Sequence, residues 1–390
     1  MRGWRGVIDY DEPLLRELER VFGAEVEAFL ESLLKPPARY YVRVNTLKAD
    51  PGEVLDELRS LGWRAYADEK FEEAVWMPVE GPERLDDAGC HVVVDKYAAE
   101  SVMLGAHVYA PGVVRVDESC AREGAEVSVY SENGVHVANG LLVRGFREAL
   151  ERGRGLVVEV VKPLYRLPSL RSTRLYREGL IYEQSLPSMT VARILSPEPG
   201  SVIVDMCAAP GGKTGHIYEL VRGRARVVAV DHSSRKVAKL QAELRRLGHV
   251  GVEVLKADSR YLDLKLGKSV ADFVVLDPPC SSIGVIPKVY DRKRYSDVVS
   301  AANYQRQFLR AAYELLKPGG VLVYSTCTVT LLENEENVAY AVGRLGFRQE
   351  DAVPLRGGRG IPPYGLLSQR FSPHVHSMPG YFIARLRKPS

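Results

Sequence analysis

The segment that most constrains the fold of this chain is residues 205–214, which read DMCAAPGGKT. It follows a β-branched run at 202–204 and precedes a helical pattern at 215–221. These patterns predict a strand, a glycine-containing loop and a helix in succession. Adjacent glycines let a backbone approach a ligand closely, and the helix N-terminus offers free N–H groups and the positive end of its dipole. A nucleotide-like cofactor is therefore expected at this loop.

The loop differs from two common nucleotide-binding motifs. The phosphate-binding motif G-x-x-x-x-G-K-[ST] requires a glycine five residues before Gly212, where this chain has Cys207. The dinucleotide motif G-x-G-x-x-G is also missing, so a nicotinamide or flavin site is not predicted. From the loop alone, a tight turn without a ligand stays open as the alternative.

Four further predicted strands follow, and each ends in acidic or cysteine residues. The strands are 226–230, 252–256, 273–276 and 321–324, and the residues at their ends are Asp231, Asp258, Asp277 with Cys280, and Cys327. Ligands of open α/β sheets bind at the carboxyl ends of the strands, so these side chains are expected around one cleft. Asp231 lies where doubly wound folds place the carboxylate that accepts from ribose hydroxyls. The predicted fold class is therefore α/β, with a doubly wound sheet.

Several motifs resemble one known family. DMCAAPGGKT, VVAVD, LDPPC and VLVYSTCT, with LLENEENVAYAV and RFSPHVHSMPGYFIA further on, are similar to the Sun-domain (NOL/NOP/Sun, RsmB-like) RNA (cytosine-5) methyltransferases. The likeness runs from about Pro36 to the C-terminus. It implies a class I, Rossmann-like methyltransferase domain, S-adenosylmethionine as cofactor, S-adenosylhomocysteine as product, and RNA as substrate.

The resemblance also implies which residues form the site. Contacts to the cofactor are expected from Cys207, Ala208, Ala209, Pro210, Gly211, Gly212, Lys213, Asp231, Asp258 and Asp277. Cys327 is the expected nucleophile, and Cys280 is expected to assist resolution of the covalent adduct. Asp277 would hold the base edge, and Lys213 would contact base or cofactor. The opposite assignment of the two cysteines stays open, because DNA cytosine methyltransferases use the cysteine after their proline.

The chemistry of cytosine independently requires a thiol. Carbon 5 of cytosine is a poor nucleophile until a thiolate attacks carbon 6 and turns the ring into an enamine. A methyltransferase acting on an adenine amino group needs no thiol and typically has Asn-Pro-Pro-aromatic at the fourth strand. This chain has Asp277-Pro278-Pro279-Cys280 there. The sequence therefore favours cytosine-5 methylation.

The 390 residues are too many for one ordinary domain, and three are predicted. Residues 1–89 should form an N-terminal lobe, with two helices at 12–34 divided by Gly23, then a βαβ unit from a strand at 40–46, a helix at 51–61 and a strand at 63–66. The family has an RNA-recognition-motif-like (RRM-like) α+β lobe here, and a packing lobe without RNA contact is equally open. Residues 169–390 should form the methyltransferase domain, with a helix-like segment from Leu180 capping the cofactor cleft.

Residues 90–168 have short strands and glycine-rich turns, which favour an inserted β-barrel. The string VVVDKYAAESVMLGAHVYAPGVVRVDESCAREGAEVSVY resembles the PUA domain, an RNA-binding barrel. Arginines cluster after it, and those predicted to bind RNA are Arg144, Arg147, Arg171 and Arg174. Arginine among tyrosines suits phosphate contact and base stacking, although a solvated basic face is the alternative. Within the family, the PUA insert is typical of the branch that methylates tRNA near the acceptor end.

Composition limits the remaining possibilities. A net charge of +3 is too small to indicate nucleic acid by itself. No run of eighteen apolar residues exists and the first residues lack a signal-peptide pattern, so a cytoplasmic monomer without membrane contact is expected. The five cysteines form no C-x-x-C pair, which suits a reducing compartment and argues against a metal. An rRNA methyltransferase and an inactive PUA-type RNA-binding protein stay open as alternatives.

Overall fold

The structure is a computed structural model that describes residues 3–390; the first two residues of the predicted N-terminal lobe lie outside the described residues. The large sheet contains all five predicted strands of the doubly wound fold, side by side and parallel. In spatial order they are Val252–Lys256, Arg226–Asp231, Val202–Asp205, Ala271–Leu276 and Leu316–Thr326. Antiparallel strands extend this sheet beyond the last of them: Tyr381–Arg387, Gln369–Phe371 and Gly358–Arg359, with Arg348–Glu350 also paired to Tyr381–Arg387.

Helices cover both faces of this sheet, which explains why its strands read as continuous apolar runs. Val204 and Leu322 pack on one side with Phe308 and Leu315 of the helix Tyr295–Leu315. Their strand neighbours point to the other side and pack against the helices Leu186–Leu195 and Gly212–Leu220. The remaining helices of this region are Ser234–Leu247, Leu262–Leu266, Glu335–Tyr340 and Pro373–His376, with a 3₁₀ turn Ser259–Tyr261 and a π-helical turn Ala341–Leu345.

The N-terminal region begins with a 3₁₀ turn, Trp4–Gly6, and a strand, Ile8–Tyr10, which pairs in parallel with the strand Asp291–Lys293. The predicted helices follow as Glu12–Phe22 and Val26–Ser32. Gly23 separates them with a φ of 55°, a value that glycine adopts without steric cost.

A four-stranded antiparallel sheet follows, and the helix Pro51–Ser60 packs on one of its faces. Its strands in order are Ile181–Glu183, Arg39–Val44, Ala74–Pro78 and Tyr66–Ala67. The helix starts where the Asp50 carboxylate accepts from the Gly52 N–H at 2.8 Å and Pro51 fixes the first turn. Arg39–Val44 and Tyr66–Ala67 are parallel with one strand between them, so the predicted βαβ unit is a split one.

One sequence expectation for this region was wrong in detail. The segment from Leu180 was expected to be helical, but Ile181–Glu183 pairs with Arg39–Val44 as an edge strand and the helix begins at Leu186. The chain therefore returns to the N-terminal sheet after the insert, and the turns Leu170–Ser172 and Arg174–Arg177 pack on that sheet as well. The division at residue 169 stays a prediction, and it assigns these segments to the methyltransferase domain.

The inserted module is a six-stranded sheet whose two outer strands, Val108–Tyr109 and Val113–Val116, are separated only by the 3₁₀ turn Ala110–Gly112. Its outer strands therefore lie close together, which curls the sheet into a barrel-like shape. The inner strands in order are Leu156–Pro163, His136–Leu142, Glu126–Ser131 and His91–Val94, and its helices are Lys96–Val102 and Phe146–Glu151.

Cys90 and Cys120 form a disulfide in this module. The expectation that the cysteines stay reduced is therefore wrong for these two. Its physical reason is proximity: Cys120 lies 30 residues along the chain but its Cα comes within 5.8 Å of that of Cys90. Cys207, Cys280 and Cys327 remain free thiols.

Candidate active site

The loop 205–214 is folded by a buried aspartate that the sequence analysis did not select. Asp205 accepts a hydrogen bond from the Thr214 hydroxyl at 2.6 Å and another from the Cys207 N–H at 3.3 Å. Burial raises the pKa of this carboxyl to about 6. Asp205 therefore fixes the shape of the loop. In the sequence, its position at the end of a strand is the feature that could have identified it.

A cavity of about 310 Å³ opens at the carboxyl ends of the parallel strands. Five of the predicted cofactor residues do not line it. Of the described residues, those on its wall include Cys207, Ala209, Asp231, Asp258 and Asp277 from the predicted set, whereas Ala208, Pro210, Gly211, Gly212 and Lys213 are not among them. A Cβ at Gly212 would lie 2.9 Å from the Tyr182 ring, and one at Gly211 would lie 2.9 Å from Leu240. Both glycines thus allow close approach of protein side chains, and direct cofactor contact of these five residues stays a prediction.

The chemistry of the wall fits S-adenosylmethionine. Asp231 is 5% exposed and offers a carboxylate for a ribose, while Met206, Ala257 and Phe308 provide an apolar surface suited to an adenine ring. Asp258 differs from Asp231 in being already paired: the Arg260 guanidinium donates to both of its carboxylate oxygens and lowers its pKa.

Cys280 and Cys327 meet on the same cavity wall, with their Sγ atoms 3.2 Å apart. They follow the neighbouring parallel strands Ala271–Leu276 and Leu316–Thr326, which brings the two cysteines together. The hydrogen bond from the Cys280 thiol lowers the pKa of Cys327, and the same bond, together with burial, raises the pKa of Cys280. Cys327 is therefore the sulfur that ionises first.

An ion pair lies beside the thiols. Lys213 Nζ donates to Asp277 Oδ2 at 2.5 Å, and the hydroxyls of Ser325 and Tyr381 reach Asp277 Oδ1 at 3.2 and 3.4 Å. Burial acts to lower the pKa of Lys213, but the Asp277 charge and the contact with Tyr381 raise it overall. Lys213 is thus held as a cation. Sequence reasoning selected Lys213 and Asp277 but missed Tyr381, which lies in the GYFIA motif.

A second buried carboxylate supports the segment after Cys280. Glu333, from the LLENEEN stretch, accepts from the Ser281 N–H at 2.9 Å and its hydroxyl at 2.5 Å, and Gln305 also donates to it at 3.0 Å. Burial raises the pKa of this carboxyl. The segment is closed on the other side by the Gly284 N–H, which donates to the Cys327 carbonyl at 3.1 Å.

Three of the four arginines predicted to bind RNA are exposed but pair with carboxylates. Arg147 pairs with Glu118, Arg171 with Glu183, and Arg174 with both Glu57 and Glu178, while Arg144 is exposed. Arg144 and Arg147 lie on the inserted module, whereas Arg171 and Arg174 lie against the N-terminal sheet. The predicted cluster is therefore divided between two parts of the molecule, and RNA contact by these residues stays a prediction.

Residues 3–390 were found to contain neither a cluster of metal-ligating side chains nor a helix able to span a membrane. No group of three or more histidine, cysteine or acidic side chains is arranged to hold a metal ion. None of the helices in that range has the length and apolar character needed to cross a membrane.

Comparison with known proteins agrees with this geometry. The family model "16S rRNA methyltransferase RsmB/F" matches residues 192–387, and the PUA domain model matches residues 91–164. Fold and site therefore define a class I, S-adenosylmethionine-dependent methyltransferase that carries a PUA domain. The chain belongs to the RsmB/F family of Sun-domain RNA (cytosine-5) methyltransferases, as its motifs indicated.

Relatives match over nearly the whole chain. The tRNA (cytosine(72)-C(5))-methyltransferase of Pyrococcus horikoshii is 39% identical, over 98% of both chains. Human tRNA (cytosine(72)-C(5))-methyltransferase NSUN6 is 33% identical over 96% of this chain and 87% of its own. The crystal structure of NSun6 from Pyrococcus horikoshii with SFG, a cofactor analogue, superimposes with a TM-score of 0.90, at 39% identity, covering 98% of this chain and 99% of that one.

Proposed function

We propose that this enzyme methylates carbon 5 of a cytidine in tRNA, at position 72 near the acceptor end. The relatives that match it from end to end are named for that reaction. By contrast, ribosomal RNA small subunit methyltransferase B of Klebsiella pneumoniae matches only 58% of this chain and 49% of its own length. That match is too short to contain the N-terminal lobe, the PUA domain and the methyltransferase domain together.

The thiol pair is the observation that carries the proposal. Cys327, the more acidic of the two, supplies a thiolate that attacks carbon 6 of the cytosine. S-adenosylmethionine, when bound, supplies the methyl group to the activated carbon 5. Loss of the carbon 5 proton to solvent water lets its C–H electron pair form the 5,6 double bond and expel Cys327 as a thiolate, and Cys280, whose Sγ lies 3.2 Å away, assists that step. Two intact thiols in one cavity also support an active enzyme over an inactive RNA-binding protein.

Asp277 and Lys213 orient the base. The Asp277 carboxylate can accept from the exocyclic amino group of cytosine, a pairing that acidic residues make with this base. Lys213 holds the carboxylate in place through the 2.5 Å contact, and it brings a positive charge to the region where the ring becomes electron-rich.

The PUA domain supplies the surface that selects the RNA. A cleft that recognises one flipped-out cytosine has little area to choose an RNA, and unpairing a stem base costs a few kcal/mol. We infer that the barrel and the arginines around it, Arg144, Arg147, Arg171 and Arg174, hold the single-stranded CCA end beside the acceptor stem. On binding RNA, Arg147, Arg171 and Arg174 would each exchange their carboxylate partners for phosphate groups.

We also infer that the enzyme acts as a cytoplasmic monomer. The cavity already contains both thiols, Asp231 and Asp277, so a second copy of the chain is not needed to complete it. The tRNA substrate proposed above supports the cytoplasm. Light scattering with the purified enzyme and fractionation of the source cells test these two inferences.

The central test is to map methylated cytidines on tRNA and rRNA incubated with the enzyme and cofactor. We expect 5-methylcytidine at position 72 of tRNA, no activity for Cys327→Ala with cofactor binding retained, and a slow-migrating covalent protein–RNA band for Cys280→Ala on a denaturing gel. Methylation of rRNA only would contradict the substrate. A covalent band with Cys327→Ala instead would exchange the roles of the two thiols.

A further inference from the structure

Ser282 lies beside the thiol pair in an unusual backbone conformation. Its hydroxyl oxygen is 3.7 Å from Cys280 Sγ and 3.6 Å from Cys327 Sγ. Its φ is 58°, in the left-handed region that residues with a side chain adopt rarely. Something in the surrounding structure must therefore hold this residue in place.

Lys288 supplies that restraint. Its Nζ donates to the Ser282 carbonyl at 3.2 Å and pairs with Asp291 Oδ2 at 2.9 Å. The Lys288 side chain is only 5% exposed. Because a buried ammonium is costly without its partners, Lys288 is confined to the position where both oxygens are in reach.

Asp291 is in turn held from two other parts of the molecule. The Tyr10 hydroxyl donates to Asp291 Oδ2 at 2.7 Å, and Lys96 Nζ donates to Oδ1 at 2.9 Å. Lys96 is the first residue of the PUA helix Lys96–Val102. The PUA domain makes a second contact close to Asp291: the Asn133 side chain donates a hydrogen bond to the Val289 carbonyl at 2.8 Å.

We propose that Lys288 and Asp291 are positioning residues that couple the placement of the PUA domain, through Lys96, to the Ser282 hydroxyl beside Cys327. The hydroxyl donates to the Cys280 carbonyl at 3.4 Å, and when Cys327 ionises it turns to donate to the thiolate 3.6 Å away and stabilises it. The module that selects the RNA thereby also sets the reactivity of the nucleophile, before any RNA is bound. The inference rests on the proposed function only in taking Cys327 as the nucleophile.

The contacts explain how this coupling is transmitted. The path contains two lysines, one carboxylate and one carbonyl, all joined by hydrogen bonds of 2.9 to 3.2 Å. Removing the charge of Lys96 leaves Asp291 with one cation instead of two, so Lys288 shifts toward it and away from Ser282. An interface that only joined the domains would give no such effect on Cys327.

The experiment measures alkylation of Cys327 by iodoacetamide across pH, in the full-length protein without RNA or cofactor, using mass spectrometry of the Cys327 peptide. The variants are Lys96→Met, Ser282→Gly and the double variant, with Lys162→Met, on the PUA strand Leu156–Pro163, as the matched control. Glycine adopts a φ of 58° freely, so Ser282→Gly removes the hydroxyl without strain.

Below the Cys327 pKa, each single variant should slow alkylation by about threefold to tenfold, the loss of one hydrogen bond, and the rates should converge at high pH. The double variant should be no slower than Ser282→Gly alone, because both changes act through one hydroxyl. With tRNA, Lys96→Met should lower kcat more than it raises KM. Lys162→Met should behave as wild type in the alkylation assay.

An unchanged alkylation rate in Lys96→Met, or a double variant whose rate loss is the product of the two single losses, would overturn the proposal. Lys288→Met should slow alkylation no more than Ser282→Gly does; if that variant fails to fold, the cycle with the partly exposed Lys96 still decides. A wild-type enzyme that shows the alkylation coupling but methylates no RNA would instead refute the proposed function.

Discussion

At the scale of single residues, one hydrogen bond makes two identical side chains chemically different. The contact between the two sulfurs raises the pKa of Cys280 and lowers that of Cys327. Since a nucleophile must ionise and an assisting group must hold a proton, this asymmetry suits the proposed division of roles.

The asymmetry predicts a shift in pH dependence. Formation of the covalent RNA adduct requires ionised Cys327, so its rate should rise with pH through the Cys327 pKa. In Cys280→Ala the donor is lost, the pKa of Cys327 rises, and the rising limb should move to higher pH. Quenched-flow measurement of adduct formation across pH checks this, with Cys207→Ala as a control that removes a thiol from the same cavity but not this hydrogen bond. An unmoved limb would mean that Cys280 does not set the acidity of Cys327.

Asp231 should dominate binding of the cofactor ribose. Asp231→Ala removes a charged acceptor worth roughly 1.5–3 kcal/mol, so S-adenosylmethionine should bind about ten- to a hundred-fold more weakly in calorimetry. Affinity for tRNA should hardly change. Asp258→Ala is the matched comparison and should cost less, because Arg260 already occupies that carboxylate. Undiminished cofactor binding in Asp231→Ala would place the ribose elsewhere.

At the scale of elements, the N-terminal sheet holds the helix that follows the cofactor loop. Arg43, on the strand Arg39–Val44, is fully buried and donates to both oxygens of Glu219 at 2.7 and 2.9 Å and to the Gly212 carbonyl at 2.6 Å. Glu219 and Gly212 belong to the helix Gly212–Leu220. The sheet that the resemblance likens to an RNA-recognition motif therefore has a structural task on this face.

Breaking that contact should destabilise the protein strongly. Arg43→Met leaves Glu219 buried with only His249 beside it, and loss of one partner of a buried pair typically costs about 3–5 kcal/mol. Urea unfolding should show this loss, together with weaker cofactor binding as the loop relaxes. Arg226→Met is the control, because its pair with Glu253 is exposed and should matter little. Equal stabilities of the two variants would show that the N-terminal sheet is not needed to hold the loop.

At the scale of the whole molecule, the PUA domain contacts the segment that contains Val289 and Asp291, so a deletion of the domain changes more than RNA binding. Deleting the barrel would remove Lys96 and Asn133 from the loop and would disturb catalysis as well as RNA binding. A shortened substrate with the intact enzyme separates the two effects.

Removing CCA from tRNA should therefore raise KM sharply and leave the affinity for S-adenosylmethionine unchanged. Phosphate contacts release counterions, so the affinity for intact tRNA should also fall more steeply with salt than that for trimmed tRNA. Filter binding at several salt concentrations and steady-state kinetics measure both. Full activity on trimmed tRNA would leave the PUA domain with a structural and positioning role only.

The sequence by itself determined the catalytic half of this protein. The five parallel strands and the meeting of Cys280, Cys327, Asp231 and Asp277 at one cavity follow from local patterns, because each of these residues lies at or shortly after the end of a strand that its own neighbours specify. Parallel strands place their carboxyl ends at one edge, so the order of motifs along the chain was enough to predict one cleft.

Only the tertiary structure decided which distant residues meet. Tyr10 and Asp291 are 281 residues apart and make contact, Lys96 joins them, Ile181–Glu183 completes a sheet begun at Arg39, and Cys90 pairs with Cys120. No pattern within a short window contains these pairings, since each depends on how separate elements pack. Local sequence encodes the elements and the residues at their ends, whereas the packing of the domains decides which of those residues touch.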